Sequence, residues 1–208
     1  MKFHVINKDT WDRTEYFDHY WNNVPCSYSL TVELDITPVI HKHKKIYPTL
    51  LYNITKAVNS HEQMRMGFDK DGNLGIFDEM IPLYTVFHKD THTFSNIWTE
   101  FHENENEFYK AYINDLEEFK DVHRFEAKPY TPPHIFYVSM IPWMTFKSFE
   151  LHFHNVNQLA PIFTMGKYYK DKGKYYIPLS IQVHHSVCDG YHVSCFVEDL
   201  QKFILGEQ

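Results

Sequence analysis

The sequence predicts an α+β fold, in which a mostly antiparallel or mixed β-sheet is covered by helices. First, apolar residues make up 43% of the 208-residue chain and aromatic residues 17%, which is enough to build a large core. Second, segments with helical periodicity and segments with strand alternation are mixed along the chain. Third, several strand patterns follow one another closely in its second half, as antiparallel neighbours do. The length fits one domain, and we expect residues 1–208 to form it.

The first helix and the first strand are predicted near the N-terminus. "DRTEYFDHYW" has the spacing of a short helix, because Phe17, Tyr20 and Trp21 fall on one side and Asp12 can cap the first turn. "YSLTVELDI", residues 28–36, places an apolar or aromatic side chain at every second position. This alternation is typical of a half-buried strand.

The chain is then predicted to continue with a helix, a turn and a strand. "PTLLYNITKAVNS" directs Leu51, Ile54 and Val58 inward and has Pro48 near its first turn, where proline is tolerated. The Asp-Gly pair in "GFDKDGNLGIFD" is a turn signal between two short strands. "PLYTVFH" has the pattern of another strand.

A long helix is predicted from Phe94 to Phe119, with Ser95 as its cap. Apolar and aromatic side chains keep roughly a helical period along it, namely Ile97, Phe101, Phe108, Tyr112, Leu116 and Phe119. Four strand patterns follow, "HIFYVSMI", "FKSFELHFH", "PIFTMGKYY" and "YYIPLSIQVHH", and "KDKGK" forms a hairpin turn between the last two. "YHVSCFVEDLQKFIL" is predicted to close the chain as a helix with one apolar face.

Charge, hydropathy and cysteine content argue against several classes of protein. The net charge of −7 argues against general nucleic-acid binding, which needs a basic surface. No window approaches the roughly 20 apolar residues of a membrane span, and the N-terminus lacks the apolar region of a secretory signal. Three cysteines form an odd set without a C-x-x-C pair. We therefore expect a reduced, cytoplasmic protein with neither a membrane nor a nucleic-acid partner.

The stretch "VHHSVCDGYH", residues 183–192, is rich in side chains that bind metals or catalyse reactions. Strand alternation directs His184 and His185 to opposite faces, so both cannot reach one metal ion. The Asp-Gly pair that follows favours a turn, which removes the i, i+4 spacing of a helical ligand pair. His152 and His154 share a predicted strand face, but no second cluster has ligand spacing. The sequence therefore does not favour a metal site.

Two catalytic interpretations of this stretch remain. Cys188 could be a nucleophile with His185 as its base, although a small apolar residue that fills the turn is the better interpretation. His185 could instead act directly as a general base, because neutral imidazole is available near pH 7 and the strand end holds it rigidly. From these residues alone, a general base and a buried structural histidine are equally good interpretations.

"HHSVCDG" has the form H-H-x-x-x-D-G, which resembles a motif shared by chloramphenicol acetyltransferases, dihydrolipoyl acyltransferases and peptide-synthetase condensation domains. Six segments, the last of which contains this motif, resemble type A chloramphenicol acetyltransferases in order and spacing: "WDRTEYFDHY", "PCSYSLTVELDIT", "YTVFHKDTHTFS", "YVSMIPW", "APIFTMGKYY" and "PLSIQVHHSVCDGYHV". The resemblance covers nearly the whole chain. It implies a CoA-dependent acyltransferase-like fold, a two-layer sandwich of sheet and helices.

The resemblance implies a reaction and its catalytic residues. Acetyl-CoA would donate its acetyl group to the primary hydroxyl of chloramphenicol, by direct transfer in a ternary complex, and this inactivates the antibiotic. No cofactor is permanently bound in the family. His185 corresponds to the general base, Ser139 to the oxyanion donor and Thr164 to a threonine that holds a water near the same intermediate. In the family pattern, a backbone carbonyl holds the histidine tautomer.

Asp189 corresponds to a family aspartate that supports the site structurally and does not orient the histidine. The resemblance pairs it with Arg13, and the pair would fix the turn that carries His185. Breaking a buried ion pair of this type costs about 3–5 kcal/mol. Without the resemblance, both residues would be interpreted as surface charges.

The resemblance also assigns binding residues and an assembly. An apolar pocket for chloramphenicol is implied at Tyr20, Cys26, Thr85, Phe94, Phe149 and Leu151. Lys167, Tyr168 and Lys170 are candidates for binding the anionic CoA, with plain solvation as an equally good interpretation. The family is a homotrimer with its active sites between subunits, so His185 would face a pocket built largely by the neighbour.

Several positions on the acceptor side depart from the family pattern. His19 stands where the family often has an aromatic pocket residue, and Tyr137 replaces a smaller residue close to Ser139. Residues 152–154 differ from the usual run, and residues 121–136 align poorly. The alternative function is therefore an acyltransferase of the same fold with a different hydroxyl or thiol acceptor.

Overall fold

A computed structural model describes the protein over residues 2–153 and 158–207. Within these residues the strands are β1 Phe3–Val5, β2 Ser27–Asp35, β3 Met66–Phe68, β4 Leu74–Phe77, β5 Ile81–His88, β6 Thr93–Trp98, β7 Ile135–Met140, β8 Ile162–Met165, β9 Tyr169–Asp171 and β10 Lys174–His184. The α-helices are α1 Thr14–Asp18, α2 Thr37–His41, α3 Ile46–Ser60, α4 Glu105–Phe119 and α5 Gly190–Leu205. A π-helical turn, His19–Asn23, continues α1, and a 3₁₀ turn, Glu62–Met64, follows α3.

The strands form a large mixed sheet and a small antiparallel one. The large sheet has the order β2-β10-β8-β7-β5-β6, and β9 forms a hairpin with the first residues of β10. β7 is parallel to both β5 and β8, and the other pairs are antiparallel. The small sheet has the order β1-β4-β3. This confirms the predicted α+β class with a mixed sheet.

The helix-covered face of the large sheet forms the core. Along β10, Ile177, Leu179, Ile181 and Val183 are all buried, in the same apolar cluster as Phe196 of α5. α3 packs against α5 and is buried along most of its length. Full burial of one such side chain contributes about 1.5–3 kcal/mol, so this layer fixes the position of β10.

The segment that follows β7 lies along β10 without being a strand. "FKSFELHFH" was predicted as a strand, but residues 146–153 have no strand structure, and His154 lies outside the described residues. The reason is that side chains replace the partner strand. The Ser180 hydroxyl donates to the Phe149 carbonyl at 2.6 Å, and the Gln182 amide exchanges two hydrogen bonds with the Leu151 backbone at 2.9 and 3.0 Å.

The helix predicted from Phe94 to Phe119 is wrong over residues 94–104. Residues 93–98 form β6, which pairs with β5 across a hairpin, and Ser95 is buried there with its hydroxyl donating to the Val122 carbonyl at 2.7 Å. α4 begins only at Glu105, where the Asn104 side chain caps it. Over a segment as short as residues 93–98, the same apolar positions fit both a helix and a strand. The segment is a strand because it pairs with β5.

The other predicted elements are largely confirmed, although "PIFTMGKYY" forms parts of two strands, β8 and β9, and not one. α3, α5, the turn before β4 and the β9–β10 hairpin are present, and Gly72 supplies the positive φ that the first of these turns needs. α1 begins at Thr14 with Arg13 as its N-cap residue, so Asp12 is not the cap. β2 forms, but it is an edge strand, and Leu30 is 40% exposed there. β1 and α2 were not predicted.

Asn104→Ala is expected to lower the free energy of unfolding by about 1 kcal/mol. The Asn104 side chain accepts hydrogen bonds from the main-chain N–H groups of Asn106 and Glu107, at 2.9 and 3.2 Å. Alanine removes both bonds, and only the Glu107 N–H keeps a second partner, the Asn104 carbonyl at 3.1 Å. Urea unfolding measures the loss. Asn106→Ala is the matched control, because its exposed side chain caps nothing, and an equal loss in both variants would contradict the capping role.

Candidate active site

His185 lies in the turn that follows β10. Its main-chain N–H donates to the Cys26 carbonyl at 2.8 Å, which ties the turn to the start of β2. Its ring stacks on Tyr20 with centroids 4.1 Å apart, and the edge of Tyr28 approaches at 5.4 Å. Nδ1 is buried and has no hydrogen-bond partner among the described residues, so the backbone carbonyl expected to hold the tautomer is not found there.

Asp189 begins α5 and carries an ion pair. It is the N-cap residue of α5 and Gly190 is its first helical residue, so this pair starts a helix and is not the tight turn predicted. Arg13 Nη1 donates to Asp189 Oδ2 at 2.9 Å. Burial opposes ionisation of Asp189, but the Arg13 hydrogen bond and the nearby His192 hold its pKa below the ordinary value.

The Arg13–Asp189 pair is only partly buried. The side chains are 20% and 34% exposed, so both charges keep part of their hydration. The expected cost of breaking a fully buried pair, about 3–5 kcal/mol, is therefore too high for this site, and about 1–3 kcal/mol is the better figure. The carboxylate contacts Arg13 and His192, and no hydrogen bond joins it to His185 among the described residues.

His184 is a buried neutral imidazole. Its Nδ1 lies 2.8 Å from the Ser186 hydroxyl and accepts the Ser186 main-chain N–H at 3.3 Å. Burial, helped by the neighbouring His185, lowers the pKa of His184 to about 4. These contacts fit a structural residue that stabilises the turn.

Cys188 is buried beneath the turn. Burial and the nearby Asp189 raise the pKa of its thiol to about 12. The reactive thiolate is therefore scarce near neutral pH, which disfavours the nucleophile interpretation.

Ser139 and Thr164 lie side by side on neighbouring strands. They are register partners on the parallel strands β7 and β8, and their hydroxyl oxygens are 3.1 Å apart. Thr164 is buried, whereas Ser139 is half-buried and lines a cavity. One of the two hydroxyls donates to the other, and when Thr164 is the donor the Ser139 proton can point into the cavity.

Two cavities are lined by consecutive residues of β7, the first by Ser139 and the second by Met140. The first, of about 590 Å³, is lined by Ser139 together with the predicted acceptor residues Thr85, Phe94 and Leu151. Tyr137, two residues before Ser139 on the same strand face, also lines it.

The second cavity, of about 790 Å³, begins at Met140, next to Ser139. Thr85 lines both cavities, and the second has Tyr47, Tyr84 and Trp143 among its apolar walls and Lys89 at its edge. Sequence reasoning missed this cavity, because its lining comes from α3, α4, β5 and the loop after β7. Only the Pro-Trp pair of "VSMIPW" could have pointed to it.

A family model described as "Chloramphenicol acetyltransferase" matches residues 1–201 of this chain. A "Chloramphenicol acetyltransferase" of Campylobacter coli is 52% identical over 205 residues, which covers 98% of this chain and 99% of the relative. One of Clostridium perfringens is 51% identical with the same coverage. This chain belongs to the chloramphenicol acetyltransferase family.

Solved structures agree with this family's fold. One described as "chloramphenicol acetyltransferase" aligns with a TM-score of 0.83 and 20% identity, and the alignment covers 98% of this chain and all of that one. The cubic core of the pyruvate dehydrogenase multienzyme complex aligns with a TM-score of 0.67 and 15% identity, covering 91% and 85% of the two chains. At these identities the likeness shows the fold, which confirms the predicted acyltransferase-like sandwich.

In this chain the predicted site residues do not all lie together. Tyr20 and Cys26 contact His185, whereas Thr85, Phe94 and Leu151 line the cavity at Ser139. Phe149 neither lines this cavity nor contacts His185 among the described residues. Its ring packs on Phe146, with centroids 5.5 Å apart. The CoA candidates Lys167, Tyr168 and Lys170 are exposed on and before β9, and the Lys170 ammonium lies 5.3 Å from the Tyr175 ring.

Two further features of the chain concern metals and membranes. In residues 2–153 and 158–207, no group of three or more histidine, cysteine, aspartate or glutamate side chains is placed to hold a metal ion. His154, which the sequence pairs with His152 on a strand face, lies outside these ranges. Among the described helices, none is both long and apolar enough to cross a membrane.

The free energy of unfolding is expected to fall by about 2 kcal/mol between pH 7 and pH 5 from His184 alone. The pKa of His184 is lowered to about 4 in the folded protein and returns to about 6.5 on unfolding. Between these values the unfolded chain binds the proton and the folded chain does not, so stability decreases as the pH falls. Urea unfolding at a fixed protein concentration measures the effect at both pH values.

His184→Asn is the matched variant for this measurement. The asparagine amide can replace the contacts that Nδ1 makes with Ser186, but it does not titrate. We expect its pH dependence to be smaller than that of the wild type by about the same 2 kcal/mol. Equal pH dependence in both proteins would contradict the burial of a neutral His184.

Proposed function

We propose that this protein transfers the acetyl group of acetyl-CoA to the primary hydroxyl of chloramphenicol and thereby inactivates the antibiotic. Family membership, with relatives that match 98% of the chain, supports this function, together with the Ser139–Thr164 hydroxyl pair at the wall of a cavity. Acetyl-CoA is a co-substrate, and no resident cofactor is needed. The proposal includes a single acetyltransferase domain spanning residues 1–208 and a cytoplasmic location, where acetyl-CoA is made.

The proposed mechanism assigns the proton transfer to His185. Its neutral imidazole accepts the proton of the acceptor hydroxyl while the oxygen attacks the thioester carbonyl carbon. The carbonyl becomes a tetrahedral oxyanion, which collapses as the carbon–sulfur bond breaks. The imidazolium then returns its proton to the CoA thiolate, so the base is regenerated. The stacked Tyr20 and the edge of Tyr28 restrict the orientation of this ring.

Ser139 stabilises the oxyanion in this mechanism. Its hydroxyl is half-buried at the cavity wall and lies 3.1 Å from the Thr164 hydroxyl. When Thr164 donates to Ser139, the Ser139 proton is free to point at the oxyanion. The proposal also assigns Thr164 a bridging water at the same intermediate.

The two cavities support separate entry of the two substrates. Acetyl-CoA in the larger cavity and the acceptor in the smaller one would meet where Ser139 and Met140 follow each other along β7. The apolar walls of the smaller cavity suit a flat aromatic acceptor. Lys167 and Lys170 are both exposed, and they are the candidates for contacting the CoA phosphates outside the larger cavity.

Strand register supports an active site shared between subunits. Ser139 is level with Thr164, and Thr164 is level with Ser180 on β10. His185 follows Ser180 by five residues, and strands rise roughly 3.3 Å per residue, so it lies about 16 Å further along the sheet. The strand spacing adds about 10 Å sideways. This separation supports a site that a second copy completes, and we propose a homotrimer with its sites between subunits.

Tyr137 supports the alternative of a different acceptor. Its phenol lines the acceptor cavity close to Ser139, and burial, with the nearby Glu126, raises its pKa above the ordinary value. The cavity therefore contains a neutral phenol where the family has a smaller residue. Comparing kcat/KM for chloramphenicol with a panel of other hydroxyl and thiol acceptors decides between the two functions.

His185→Ala is expected to lower acetyl transfer by about 10²- to 10⁴-fold, because the base is lost. Ser139→Ala is expected to lower kcat by about 10²- to 10³-fold, because the oxyanion donor is lost. Thiol release from acetyl-CoA in the presence of chloramphenicol measures both. Cys188→Ala is the control and should keep most of the activity, since its thiol is not ionised near pH 7. A folded wild-type protein that left both substrates unchanged would overturn the proposed function.

Mixed oligomers of His185→Ala and Ser139→Ala chains are expected to show activity well above that of either parent. Each mixed interface can join an intact His185 from one chain to an intact Ser139 from the other. Co-expression with two different tags, followed by purification on both, isolates these hybrids for the thiol-release assay. His185→Ala co-expressed with the double variant is the control, because no intact pair can form. Hybrids as inactive as this control would show that both residues act within one chain.

A further inference from the structure

We infer that His192 is a positioning residue for the turn that carries His185, and that it acts through Asp189. The inference rests on the proposed function, in which His185 is the base. The sequence places His192 in the histidine-rich stretch, but neither the metal nor the nucleophile interpretation uses it. Its role follows from its contacts at the start of α5.

His192 and Arg13 hold different oxygens of the same carboxylate. His192 Nδ1 lies 2.9 Å from Asp189 Oδ1, and Arg13 Nη1 donates to Asp189 Oδ2 at 2.9 Å. The Asp189 main-chain N–H also points at His192 Nδ1, at 3.2 Å. With its proton on Nδ1, the imidazole donates to the carboxylate, and without it Nδ1 accepts the main-chain N–H. In either form His192 is bound to Asp189.

A carboxylate held at one oxygen can still rotate, because the terminal torsion of aspartate is broad. With its proton on Nδ1, the His192 ring gives the second oxygen a partner and restricts this rotation, in addition to the His192 main-chain N–H that the Asp189 side chain caps. Asp189 is also the residue at which the turn ends and α5 begins, four residues after His185. Fixing its side chain and its main-chain N–H together therefore fixes the exit of the turn, while the Cys26 carbonyl fixes its entry.

Burial favours the neutral form of His192. Burial lowers its pKa, Arg13 and His61 lower it further, and Asp189 opposes them. His61 faces it from the residue after α3 and is itself 3.2 Å from Asp199 of α5. The neighbouring Tyr191 ring approaches at 5.8 Å. When His192 is neutral, Arg13 is the partner of the Asp189 carboxylate that carries a full positive charge. Arg13 and His192 then do not repel each other.

Three substitutions of His192 test this role. Asparagine places a polar atom close to the position of Nδ1, glutamine places it close to Nε2, and alanine removes both. We expect His192→Ala and His192→Gln to lower kcat about tenfold, with the KM of each substrate changed less than about twofold. His192→Asn should stay within about threefold of the wild type. Equal losses in all three variants, or a loss confined to KM, would overturn the inference.

A double-mutant cycle separates action through Asp189 from general destabilisation. If His192 acts through the carboxylate, His192→Ala should cost less than about twofold in an Asp189→Asn background. The same tenfold loss in that background would contradict it. Thermal unfolding of each variant identifies any that are not folded at the assay temperature.

Amide hydrogen exchange gives a test that does not depend on catalysis. In full-length His192→Ala, the amides of residues 185–188 should exchange about tenfold faster than in the wild type, while those of α3 are unchanged. Unchanged exchange in the turn would overturn the inference even if activity fell. An inactive wild-type protein with accelerated exchange in the variant would instead refute the proposed function and leave the role of His192 in the turn supported.

Discussion

The register of β10 is the constraint on which the candidate site depends. This strand pairs antiparallel with both β2 and β8, so a single strand sets two alignments. One alignment places Ser180 level with Thr164 and, through β7, with Ser139. The other brings His185 against the Cys26 carbonyl. A slip by one residue would turn the apolar side chains of β10 away from α3 and α5, so the core that stabilises the fold also fixes both halves of the site.

The elements that could be predicted from the sequence are those that burial alone decides. Residues 46–60 and 190–205 repeat apolar side chains at helical spacing, and both are helices. The start of the helix predicted at Phe94 was wrong, because β6 is defined by pairing with β5, and a local pattern does not contain that contact. Residues 146–153 alternate like a strand, but their hydrogen bonds go to the side chains of Ser180 and Gln182. No periodicity encodes such a partner.

The site was less predictable than the fold, because its residues come from distant parts of the chain. Strand alternation argued against a metal site at the paired histidines, but resemblance was needed to select His185 and Ser139. The contact between Arg13 and Asp189 spans nearly the whole sequence and also came from resemblance. His192 needed the structure, because its contact with Asp189 Oδ1 depends on α5 beginning at Gly190, where the sequence suggested a turn.

Separation of the base from the oxyanion donor has an energetic consequence for the proposed enzyme. Within one chain, about 16 Å along the sheet lies between the level of Ser139 and that of His185, and no side chain spans this distance. An isolated subunit can then be fully folded and still lack a complete site. Binding of either substrate across the interface must stabilise the assembled form by mass action, since substrates that contact two chains favour the state in which those chains are joined. Catalytic competence and assembly are therefore thermodynamically linked in the proposed trimer. The same core that holds β10 in register contributes to both, because in the proposed trimer it presents Ser139 and His185 at positions that a neighbouring copy brings together.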